Sequence, residues 1–114
     1  MGKSDPPLFT KFYALAGWIL DRVEGYPKSK RFNLGDRTVD RALEVLENVV
    51  SAQYATAKLG CLHRANEALQ SLRILLRLGM EKKCLSFGQY EQAITDLVEC
   101  GRMLGGWIAQ QERK

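Results

Sequence analysis

Apolar residues recur at alternating steps of three and four along almost the whole chain, the spacing that lines side chains up on one face of an α-helix. Phe9, Phe12, Ala16, Ile19, Val23 and Tyr26 make the first such row, with Leu8, Leu15 and Trp18 to one side of it. Asp5 as N-cap and Pro6 at the first helical position open this helix, since a missing N–H does no harm there, and Gly25 with Pro27 closes it. The stretch Pro27 to Asn33 is polar and basic and reads as a loop, after which Asn33, with Asp36 three residues on, caps a second helix.

That second helix runs to about Lys58 on Val39, Leu43, Leu46, Val50, Tyr54 and Ala57. A further row of Ala42, Val45, Val49 and Ala52 widens the stripe beyond what one neighbour requires, so contact with two is expected, and a second copy of the chain can supply one of them. Gly60 marks the next turn, with a third helix starting between Cys61 and Ala65; Leu62, Ala65, Leu69, Leu72, Leu76 and Gly79 form its inner face. Asn66, Gln70, Arg73 and Arg77 make a polar stripe on another face, and Met80 to Leu85 is a short basic link containing Lys82 and Lys83. In the last helix Ser86 and Gln89 supply a capping box, and Phe87, Tyr90, Ile94, Leu97, Gly101, Leu104 and Ile108 form the seam. Gly101, Gly105 and Gly106 each cost about 1 kcal/mol relative to alanine inside a helix. Close approach of a neighbouring backbone is the expected compensation, and Gly101 with Gly105 has the small-xxx-small spacing of tight helix crossings.

Helices at about 6–25, 34–58, 62–79 and 87–112, joined by short links, predict an all-α fold. The expected architecture is an antiparallel up-down four-helix bundle, a single domain over residues 1–114. No segment alternates apolar and polar as a strand would.

Composition adds exclusions. Charged residues are 26% and hydrophobic ones 46%, an ordinary globular balance, and in the first helix the longest charge-free run, between Lys11 and Asp21, falls far short of a membrane span. With no apolar leader after the N-terminal Met-Gly-Lys-Ser-Asp-Pro-Pro, a cytoplasmic protein without a membrane partner is expected. Cys61, Cys84 and Cys100 are odd in number and form no CxxC pair, so reduced structural thiols are expected rather than disulfides or a zinc site. His63 is the only histidine, and no nucleophile elbow, phosphate-cradling glycine loop or Glu-x-x-His pair is present. The chain is expected to be no enzyme and to need no metal or cofactor.

Charge points toward a partner. The formal net charge is +4 and the pI about 9.1, and Lys28, Lys30, Arg31, Arg37 and Arg41 cluster against only Asp36 and Asp40. Such an excess favours a polyanion, with solvated surface charge as the alternative reading of the same residues. Arg73 and Arg77, one turn apart, repel unless Glu67, Glu99, a phosphate or an acidic protein surface lies across them. Trp107, on a flank shared with Ala93 and Cys100, suits packing or a subunit interface.

Tyr90-Glu91 and Gly101-Arg102-Met103-Leu104-Gly105-Gly106-Trp107-Ile108 resemble the C-terminal signature of the accessory variability determinant (Avd) proteins of diversity-generating retroelements. Tyr26-Pro27-Lys28-Ser29-Lys30-Arg31-Phe32 resembles the loop and helix start that Avd shares with the ribosomal-RNA intervening-sequence four-helix proteins. With Leu72-Arg73 and Leu76-Arg77-Leu78 the likeness covers nearly the whole chain, leaving out the first ten residues. It implies a homopentameric barrel of four-helix protomers with a basic surface. It also implies binding to the element's reverse transcriptase and association with template RNA and DNA, supporting cDNA synthesis in mutagenic retrohoming without being the polymerase. On matching positions it assigns nucleic-acid or polymerase contact to Arg73, Arg77 and Arg102, and, through the wider superfamily, to Lys28, Lys30 and Arg31; charge alone adds Arg37 and Arg41. Gly101, Gly105, Trp107, Val45 and Val49 are the candidates for packing or assembly. The alternative is a self-assembling bundle of the intervening-sequence type with no nucleic-acid partner.

Overall fold

Proline sets the first helix boundary. In the computed structural model, which describes residues 6–114, Pro6 is extended (φ −62°, ψ 149°) and Pro7 takes the first helical position, one residue later than expected. The expected cap Asp5 lies outside the described residues. The long helices are α1 (Pro7–Glu24), α2 (Asp36–Tyr54), α3 (Leu59–Glu81) and α4 (Phe87–Glu112), with no strand among the described residues. Each of α1 and α3 packs against both α2 and α4. Arg41 reaches Ser71 and Arg64 reaches Asn48, so α2 and α3 run antiparallel. Lys11 bridges Asp96 and Glu99 at 3.6 and 3.2 Å and ties α1 to α4. The result is an all-α four-helix bundle of 46 × 25 × 20 Å.

The basic segment after α1 is not an open loop. Lys28–Lys30 forms one helical turn that runs through a π-turn, Arg31–Gly35, straight into α2. Asn33 therefore caps nothing: its Oδ1 accepts from its neighbour's Leu34 N–H, and its Nδ2 donates to the Ser29 carbonyl. Packing explains the continuity. Tyr26, 1% exposed, and Leu34 are pinned in the core, and Gly35 sits against Val23, where a Cβ would come within 2.9 Å of the valine methyl.

α2 stops at Tyr54, short of the expected Lys58, because Lys58 folds back on its end. The ammonium donates to the carbonyls of Ala52, Gln53 and Ala55 at 2.7, 3.3 and 2.9 Å, satisfying acceptors that a helix C-terminus leaves free. α3 then begins at once at Leu59, with Gly60 inside its first turn. Ser86 and Gln89 do close their capping box, with N–H···O distances of 3.1 and 2.9 Å.

Two inner faces differ from the expected seams. On α2 the fully buried row is Ala42, Val45, Val49 and Ala52, while Leu43, Leu46 and Val50 are half-buried and Tyr54 is 84% exposed. On α4 the core line is Ala93, Leu97, Cys100 and Leu104, and Phe87 is mostly exposed. On α2 small residues face inward between two neighbours and leucines lie on the flanks; on α4 Ala93 and Cys100 share the inward line with Leu97 and Leu104. Val45 and Val49 thus pack within the protomer. The expected close backbone approach at the α4 glycines is absent from the protomer: a Cβ on Gly101 would make ordinary contact with Leu69 at 3.6 Å, and Gly105 and Gly106 face open space. Trp107 lies half-buried against the core.

Candidate nucleic-acid interface

The structure separates the candidate cations into three groups. Arg41 is spoken for: it pairs with Glu44 at 3.3 Å and donates to Ser71, bracing α2 against α3. Arg31 is half-buried and donates to the Tyr26 carbonyl at 3.4 Å, which braces the turn it sits on. Arg77 holds Glu81 at 3.3 Å one turn on, so the Arg73–Arg77 repulsion is relieved within α3; Glu67 and Glu99 form no ion pair with either arginine among the described residues. Both partners are well exposed, and such a pair contributes well under about 1 kcal/mol. It leaves Arg77 available to a stronger anion. Arg73, Arg102, Lys28 and Arg37 are exposed, and Lys30 is half-exposed.

Lys30 and Arg37 are brought together by the π-turn. With Lys82 from the far end of α3 they ring a shallow groove of about 610 Å³, floored by Leu34, Leu75 and Leu78. Phe32 stands on its rim, 69% exposed. Arg73 and Arg77 are not part of it: each is two residues from Leu75, about half a turn around the α3 axis. Sequence reasoning places Phe32 and Lys82 in their stretches but gives neither a role at a site. The signal available was an aromatic residue set among cations, in a segment whose helical turn the apolar period does not show.

No group of three or more His, Cys, Asp or Glu side chains is placed to hold a metal ion among the described residues. Burial pushes the Cys100 thiol up to about 11, and burial also raises Cys84, so neither is a ready thiolate. No described helix is long and apolar enough to cross a membrane.

A family model described as bAvd-like matches residues 8–111, spanning all four helices. The fold is similar to that of a protein of unknown function from the S23 ribosomal protein family of Bacteroides thetaiotaomicron VPI-5482. The TM-score is 0.82 and the identity 18%, over 89% of this chain and 97% of that one. No protein of curated function matches.

Proposed function

The chain belongs to the bAvd-like family, and from that premise we propose that it is a non-catalytic accessory protein of a diversity-generating retroelement. In this reading it binds the element's reverse transcriptase and template RNA, and DNA, and supports cDNA synthesis from the template repeat in mutagenic retrohoming. It works in the cytoplasm as a homo-oligomer, a ring of five. The observation that carries the proposal is the family match over residues 8–111.

The physical features are consistent with it. A protomer at +4 is modestly basic, but copies in a ring add their potentials, and each phosphate neutralised releases counterions. Exposed Arg73, Arg77 and Arg102, with the Lys28–Arg37 segment, offer the cations. Self-association has a candidate face as well: Tyr13, 51% exposed, Gly17 and Leu20 of α1 meet Leu43 and Leu46 of α2 in an apolar groove of about 210 Å³.

The test is capture of tagged protein from cells carrying the neighbouring reverse-transcriptase gene and template RNA. Both should come along, and Arg73→Ala with Arg77→Ala should weaken capture while leaving the melting temperature nearly unchanged. If neither partner is captured, and the purified protein ignores single-stranded RNA even at low salt, the self-assembling bundle without a nucleic-acid partner takes its place.

A further inference from the structure

We propose that the groove between the Lys28–Gly35 segment and the C-terminal end of α3 is a seat for unpaired nucleobases, with Phe32 as the stacking platform. This deepens the proposed function, since it rests on nucleic acid being a ligand, and it names single-stranded rather than duplex strands as the class taken here.

Three features argue for it. The Phe32 ring is 69% exposed and pairs with no other aromatic ring among the described residues, so a flat face is free. A single exposed aromatic ring is ordinary on a protein surface, and what sets this one apart is its company. Around it stand Lys30, Arg37 and Lys82, none of them ion-paired among the described residues, against the single carboxylate of Asp36. The floor is apolar: Leu75 and Leu78 suit a base or ribose edge rather than a second phosphate. A ring free for stacking with cations alongside it is how proteins hold single strands without reading their sequence, because every base has a π-face and every nucleotide a phosphate. In a duplex the bases are stacked on one another and the ring has nothing to meet.

An amphipathic acidic segment of a partner protein is the competing occupant, since it too would match leucines rimmed by cations. It fits less well. The depression is shallow, and Phe32, which lines it, is itself 69% exposed, so it offers little enclosure to a helix.

The experiment uses the assembled wild-type protein and fluorescence anisotropy with fluorescein-labelled oligo(U) RNA and an equally long RNA duplex. Phe32→Ala should weaken oligo(U) binding about tenfold with little change in its salt dependence, Phe32→Trp should retain it, and the duplex should be indifferent to both. Lys30→Ala, Arg37→Ala and Lys82→Ala together should weaken binding and flatten the logarithmic salt slope by about two. Circular dichroism and light scattering should show an unchanged fold and oligomer. Oligo(U) binding by Phe32→Ala equal to wild type overturns the seat while leaving the wider RNA reading intact. So does a variant that loses reverse-transcriptase capture but not oligo(U), which gives the groove to a protein partner, or one whose oligomer changes size. Wild-type protein that binds neither probe at low salt overturns both readings.

Discussion

Glycine has opposite meanings at the two ends of this bundle. Near the end of α3, Gly79 is buried because Tyr26 fills the space its side chain would need: a Cβ there would lie 2.9 Å from the tyrosine oxygen and 3.6 Å from Leu85. In the last turns of α4, Gly105 and Gly106 have nothing within 4 Å of where a Cβ would be. Both regions interrupt a helical pattern with the same residue, at a cost of about 1 kcal/mol per glycine relative to alanine. Only at Gly79 does the protomer itself offset that cost. A helical glycine is therefore a question about what stands opposite it, and the answer lies in another segment of the chain.

The largest expected effect breaks the tight end. Gly79→Ala should lower stability by roughly 1–3 kcal/mol in urea unfolding, since the Tyr26 ring is rigid, 1% exposed and cannot swing aside. Tyr26→Phe should restore much of the loss, because it removes the atom that clashes. That hydroxyl has no hydrogen-bond partner within the described residues, so its removal alone should cost little or even stabilise. A double-mutant cycle with no coupling between the two positions would mean the contact is not what keeps Gly79 a glycine.

Alkaline pH probes the same burial next. In the fold Tyr26 is raised from 10.0 to about 12 and Cys100 from 9.0 to about 11, both by burial first. As pH rises the unfolded chain loses these protons before the folded one does, so the stability they contribute is complete below about pH 9 and declines between about pH 9 and 12. Urea midpoints should fall over that window, and Tyr26→Phe should flatten the upper part of the fall. A midpoint in the variant that falls as steeply as in wild type would place the alkaline loss elsewhere.

The open end should respond with the opposite sign. Gly105→Ala should raise stability by roughly 0.5–1 kcal/mol, through helix propensity and a less flexible unfolded chain, with no change in oligomer size. Gly105→Leu should likewise fit the protomer without overpacking, and a changed oligomer by light scattering would reveal a neighbour supplied by another copy.

How much of this was legible in the sequence follows the same division. The inner face of α3 and most of α1's row are visible because each carries large apolar residues along one line, and the Ser86–Gln89 cap because it is local. The inner line of α2 is not, and that of α4 only in part. On α2 alanine and valine face inward while leucine flanks, and on α4 Ala93 and Cys100 share the core line with Leu97 and Leu104 while Phe87 stands outside it, so weighing residues by size turns each helix off its true face. The groove was only half visible: Lys30 and Arg37 stand out by charge, but Lys82 joins them across 45 residues of sequence through the antiparallel return of α3. Helical periodicity cannot show a juxtaposition made by the π-turn and the end of another helix.

The smallest effect sharpens the comparison at a place where the backbone calls for glycine and the chain has lysine. After α3 ends, the Cys84 N–H donates to the Gly79 carbonyl at 2.8 Å and the Lys83 N–H to the Met80 carbonyl at 3.0 Å, the paired bonds of a Schellman motif. The residue between, Lys83, adopts φ 65°, the left-handed region, and it alone among the described non-glycine residues has a positive φ. A lysine there bears roughly 1 kcal/mol of steric strain that glycine would not. Lys83→Gly gives part of that back as extra freedom in the unfolded chain, so the net gain should be a few tenths to about 0.5 kcal/mol. Because Lys83 lies outside the lining of the Phe32 groove, oligo(U) affinity should fall only by what one dispersed charge contributes. A loss as large as that of Phe32→Ala would show that the lysine is kept at this turn for its ammonium, at the expense of the cap.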